Sequence, residues 1–230
     1  MKHDQILNYV FNVLFECNVH SFPFDCGNLF KHYGYKVFTY EELRRKNEEL
    51  YDMCKKYSDD AFRDGNSKII AYNAETNLSR IRFSLMHELG HVVMNHRGSC
   101  IRNEQDANFF ASNILAPRMA IHYADCKNHI DVAKRFDISY EAAEYAFDDY
   151  RRWHRTAVYR MSMLDKEMYQ HFYNQGLHKF VWNVGECIYC QRPIYNDSQR
   201  HVCSLCSTRH YIAGLGYFEV PDNLQWYNRL

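Results

Sequence analysis

Apolar residues recur at three- and four-residue intervals along most of this chain and alternate in only two short stretches. The pattern predicts an α+β protein, mainly helical, with a small sheet. Ile6, Leu7, Val10, Phe11, Val13 and Leu14 mark a helix over 3–17 with one face on a core. Asp25 stands where it can cap a short helix that follows. Residues 35–40 alternate and are β-rich, and residues 67–73 give a second strand announced by Gly65-Asn66. Between them, residues 41–56 are highly charged with weak periodicity, expected as one solvated helix or a flap beside a substrate. Phe83, Leu85, Met86, Leu89, Val92, Val93 and Met94 are apolar almost all round, as in a buried helix. Ala107, Phe110, Ala111, Ile114 and Leu115 define another helix, which Pro117 ends. Residues 130–153 hold two more helical patterns, broken at Asp137-Ile138-Ser139.

The buried helix carries chemistry. His87-Glu88-Leu89-Gly90-His91 follows the His-Glu-x-x-His pattern of zinc hydrolases. Four residues apart on a helix, His87 and His91 project from one face and can reach one metal ion. Glu88 is rotated by about 100° from His87, beside the metal rather than on it, where a general base for an attacking water belongs. Gly90 weakens a helix by roughly 1 kcal/mol relative to Ala, so its presence implies close backbone packing.

A catalytic zinc takes three protein ligands and keeps one open position. Glu104 is the expected third ligand. Asn108 shares its face and is expected to hydrogen-bond a ligating histidine and fix its tautomer. Asp106 is the competing ligand. It lies about 200° around the helix from Glu104, so the two do not both reach the metal, and it also reads as a solvated first-turn acid.

In these residues the chain resembles the ImmA/IrrE family of zinc metallopeptidases. The likeness rests on residues 69–73, 80–91 and 104–117, in that order: strand, metal helix, then a Glu-bearing helix ending in Pro. Residues 132–139 extend it, and it covers roughly residues 3–150. Asp106 departs from it, since Glu or Gln is more usual there. The resemblance implies a zincin-like, gluzincin-type metallopeptidase core. It also implies an endopeptidase of the cytoplasm that cuts a helix-turn-helix repressor and so relieves repression. Glu88 would take a proton from the attacking water and pass it to the leaving amine. Tyr72, His96, His129, Tyr140 and Tyr145 are available as oxyanion donors, and substrate is expected along the strand that holds Tyr72.

The C-terminal part adds a second metal signature. Cys187-Ile188-Tyr189-Cys190 and Cys203-Ser204-Leu205-Cys206 are separated by twelve residues. Two such knuckles predict a closed four-thiolate zinc site in a small zinc ribbon. Strands are expected at 180–184 and 211–213. Two zinc ions per chain follow, one catalytic and one structural. The domain reading is a metallopeptidase domain over 1–155, a linker or extra helix over 156–180, and a ribbon over 181–230. Cutting the chain after about residue 180 is expected to leave a folded core.

Composition narrows the setting. Of 230 residues, 28 are Lys or Arg and 28 are Asp or Glu, so net charge offers no global attraction to nucleic acid. The 137–139 corner could imitate a helix-turn-helix, but only Lys134, Arg135, Arg151 and Arg152 offer phosphate contacts, and acids dilute the ribbon's basic residues. Direct nucleic-acid binding is not expected. No apolar run approaches the ~20 residues that span a bilayer. Nine cysteines, an odd number, four of them in metal spacing and none after a signal-like leader, point to a reducing, cytoplasmic setting. The rival reading is a non-catalytic or toxin–antitoxin or defence-associated regulator that binds a partner through the peptidase fold and ribbon. Retention of Glu88 argues for catalysis, because metal binding alone needs no such carboxylate.

Overall fold

The computed structural model describes residues 1–98, 100–157 and 160–212. Helix α1 (His3–Glu16) buries Ile6, Leu7, Val10, Val13 and Leu14, and α2 (Cys26–His32) is capped by Asp25, whose carboxylate accepts from the Gly27 and Asn28 N–H groups. Strand β1 (Lys36–Thr39) follows. The charged stretch after it is two helices rather than the one expected: α3 (Tyr40–Lys46) and α4 (Glu48–Tyr57). Asn47 divides them. Its backbone is extended and its side chain accepts from the Leu50 N–H at 2.9 Å, starting a new helix. These helices are not wholly solvated, for Tyr40, Leu43 and Cys54 are buried against the sheet.

Strands β2 (Ala61–Asp64) and β3 (Ile69–Tyr72) complete a sheet ordered β1-β3-β2. Strand β3 runs parallel to β1 and antiparallel to β2. This corrects the expectation that substrate pairs along the strand of Tyr72. That strand is central, and its main-chain groups on both sides are already paired, Tyr72 facing Thr39 on one side and Ala61 on the other. Among the described residues the free edges belong to β1 and β2.

Helices α5 (Leu78–Val93) and α6 (Ile101–Leu115) form the centre of the molecule. Their approach depends on Gly90. A Cβ there would lie 3.0 Å from Cδ1 of Phe110 and 3.4 Å from Cα of Ala107. Helices α7 (Arg118–Tyr123), α8 (His129–Phe136) and α9 (Tyr140–Ala157) close the core, with Val132, Phe136, Ala142, Ala143 and Ala146 all buried.

The apolar body continues past residue 156. Helix α10 (Met163–Phe172), opened by a Ser162–Asp165 capping box, lies on α1. It leads into the hairpin of β4 (Tyr173–Asn174) and β5 (Lys179–Phe180). Phe172 stacks near Phe22 and Phe180, and Trp182, only 1% exposed, packs 5.4 Å from Phe136. Hydrogen bonds from Phe22 N–H to the Trp182 carbonyl and from Asn183 Nδ2 to the Phe22 carbonyl tie this return segment to the first forty residues.

The cysteine module has its own small core of Cys187, Ile194 and Cys206. It consists of the hairpin β6 (Val184–Glu186) and β7 (Pro193–Tyr195) followed by α11 (Ser204–Ile212). The strand expected at 211–213 is corrected here: Tyr211 and Ile212 end α11, because the second cysteine knuckle opens a helix and not a second hairpin. Ala213 lies outside the described residues. No helix among the described residues is long and apolar enough to cross a membrane.

Candidate metal centre

Helix α5 presents His87 and His91 one turn apart, and α6 brings Glu104 to them across the Gly90 contact. His91 Nε2 lies 3.0 Å from His87 Nε2, and Glu104 Oε2 lies 3.1 Å from His87 Nε2 and 3.6 Å from His91 Nε2. The three donor atoms fall within 4.8 Å of one another. Two imidazoles and one carboxylate form a donor set suited to zinc with an open coordination position. Burial, reinforced by His87, pushes His91 down to about 4, so its ring is neutral and its lone pair available near pH 7.

Further contacts fix the orientation of these side chains. His87 Nδ1 lies 2.8 Å from Asn108 Oδ1, one turn along α6 from Glu104. An amide oxygen can only accept, so Nδ1 donates and Nε2 is left bare for a metal. Asp106 points elsewhere. It is buried, not solvated as a first-turn acid would be, and pairs with the Met1 ammonium. The helical wheel turns Asp106 away from Glu104, and α1 packs on α6, so the carboxylate is covered and meets the Met1 ammonium.

Glu88 sits beside this cluster on the rim of an open groove of about 510 Å³, which also exposes His87, Phe83, Asp60, Arg80 and Glu141. Burial raises the proton affinity of Glu88, while His87 and Arg63 oppose the rise. Arg63 comes from β2, and its Nε donates to Glu88 Oε2 at 3.3 Å. Sequence reasoning missed Arg63. Ala61-Phe62-Arg63-Asp64 carries no alternation that would reveal a strand, and nothing local links it to a helix 25 residues away. Of the five side chains available as oxyanion donors, Tyr72 is buried in β3, His96 is engaged with His91, His129 opens α8, and Tyr140 and Tyr145 are exposed on α9.

The second cluster gathers Cys187, Cys190, Cys203 and Cys206. The Cys203 N–H donates to Cys187 Sγ at 3.3 Å, and the Cys206 N–H to Cys203 Sγ at 3.5 Å. Burial works against the Cys187 thiolate, but the backbone N–H groups of Cys203, Cys190 and Tyr189 outweigh it and bring the thiol down to about 6. The four clustered sulfurs fit a zinc ribbon-like module with no position left for substrate.

No curated protein matches this chain. Residues 44–148 match the family model Peptidase_M78, described as the IrrE N-terminal-like domain. That stretch begins in α3, includes β2 and both metal helices, and ends in α9. Over residues 44–148 the chain is therefore similar to the IrrE N-terminal-like domain, Peptidase_M78.

Proposed function

We propose that this protein is a zinc-dependent endopeptidase that cuts one specific intracellular protein, a helix-turn-helix transcriptional repressor, and so relieves repression. The observation that carries the peptidase reading is the convergence of His87, His91 and Glu104 within 4.8 Å, with Glu88 beside them on an open groove. Zinc held there would supply Lewis-acid activation of water and of the scissile carbonyl. Glu88 takes the proton of the attacking water and delivers it to the leaving amine. Arg63 orients the Glu88 carboxylate through its Nε–H, and its fixed positive charge favours the ionised form that takes the proton. Strand β2 is the sheet edge on this side, so an extended substrate would pair with β2 and lie across the groove.

The repressor as substrate is supported by the ImmA/IrrE resemblance, and cytoplasmic residence by the reduced-cysteine pattern. The ribbon-like module is assigned to docking of the protein substrate. If a gene beside its own encodes a helix-turn-helix protein, incubating the zinc-loaded protein with that product should produce two fragments, and Glu88→Gln should produce none. An intact repressor with both proteins would remove the substrate assignment. Cleavage by the Gln variant would remove the mechanism.

A further inference from the structure

The end of α5 folds the chain back onto its own metal helix. Met94 closes the helix and Asn95 adopts the left-handed conformation at φ 52°. The Asn95 N–H donates to the Val92 carbonyl at 3.1 Å, and the His96 N–H to the His91 carbonyl at 3.0 Å. This pair of bonds is a Schellman closure, which lays the second residue beyond the cap over the third residue before it. Asn tolerates the left-handed position better than other residues with a Cβ. The closure therefore brings the His96 ring against the His91 ring, with centroids 5.0 Å apart and planes at 75°. His96 Nδ1 lies 3.1 Å from His91 Nδ1.

A neutral imidazole that offers Nε2 to a metal carries its proton on Nδ1. For His87 that proton goes to Asn108. For His91 the group facing Nδ1 is His96 Nδ1. We infer that His96 is a positioning residue of the metal centre: it accepts the His91 Nδ1 proton, and so fixes the tautomer and ring plane that aim His91 Nε2 at His87 and Glu104. His96 carries its own proton on Nε2 in this arrangement. It is not a ligand, because its Nδ1 meets the His91 ring on the side away from the three donor atoms. Partners of this kind orient ligating histidines and typically contribute about 10–100-fold in metal affinity. The inference rests on the reading that His87, His91 and Glu104 hold zinc.

The test is zinc affinity of the full-length protein, measured by competition with a chromophoric chelator. His96→Ala should weaken the open site by about 10–100-fold, with helix content and the four-cysteine site unchanged. His96→Gln, whose Oε1 can accept the same proton, should recover most of the loss. Asn95→Gly, which keeps the left-handed turn, should bind as the parent does. Nitrogen-15 spectra of the zinc-loaded parent should show His91 protonated at Nδ1, and that proton should exchange with water far faster in His96→Ala. Parent-like zinc affinity in His96→Ala overturns the inference, as does failure of Gln to improve on Ala. A parent protein that binds zinc only at the cysteines would instead remove the metal assignment itself, before any variant is compared.

Discussion

Gly90 of α5 faces Phe110 of α6 so closely that a Cβ on residue 90 would sit 3.0 Å from the ring and 3.4 Å from the Ala107 backbone. Phe110 and Ala107 are both fully buried, so neither can move aside into solvent. This contact sets the helix spacing that lets Glu104 reach His87 and His91.

Gly90→Ala should therefore destabilise the protein despite the better helix propensity of Ala. Overpacking costs about 1–3 kcal/mol and the propensity gain returns at most about 1 kcal/mol. Denaturant titration should show a net loss, and zinc affinity of the open site should fall with it. A more stable variant with unchanged zinc binding would show that α6 shifts freely and that the spacing is not critical.

Glu88→Gln should keep the fold and the metal while proteolysis drops by about 10²–10⁴-fold. Arg63→Ala should also lower kcat, with zinc content intact and KM little changed, and Arg63→Lys should restore part of the activity by returning the charge. The measurement is steady-state cleavage beside metal analysis. If Arg63→Ala raised KM alone, Arg63 would serve substrate binding and not Glu88.

Two zinc ions per chain are expected, with unequal lability. The His87/His91/Glu104 site is open and the cysteine site closed, so a mild chelator should remove the first before the second. Glu104→Ala should empty the open site, while Asp106→Ala should leave its zinc in place, since Asp106 is turned toward Met1. Elemental analysis of each variant decides this. A loss of zinc equal to that of Glu104→Ala in Asp106→Ala would reverse the ligand assignment.

In metal-free protein, acid should act through His91. Its pKa lies near 4 against an ordinary 6.5, so below 6.5 the unfolded chain binds more protons than the folded one. Stability from this group is complete above 6.5 and falls as pH drops toward about 4. Chemical denaturation across that window, compared between the parent and His91→Phe, should show a weaker pH slope in the variant. Identical slopes would mean other groups dominate.

Where the chain can be cut depends on Trp182. Ending the protein after 180 removes a ring packed on Phe136 and the bonds it anchors to Phe22, whereas ending it after 186 keeps both. The longer fragment should melt close to the parent and the shorter one well below it, because deleting a buried aromatic costs about 3–5 kcal/mol. Equal melting points would show that Trp182 contributes little to the body.

Much of the site was legible in one dimension because its groups obey local periodicity. A four-residue step places His87 with His91 and Glu104 with Asn108 on common helix faces, and two cysteine knuckles declare their chemistry by spacing alone. The same rule puts Glu104 and Asp106 on different faces of α6. What local spacing cannot carry is which faces meet. Only the tertiary structure decided that Arg63 reaches Glu88, because four residues of β2 with two charges give no strand signal and their register comes from β3. It also placed β3 in the middle of the sheet, where pairing with β1 and β2 consumes the edge a substrate would need. And it carried Trp182 back to Phe22 and Phe136, since burial of a large ring is settled by whichever distant surface offers it contact and not by its neighbours along the chain.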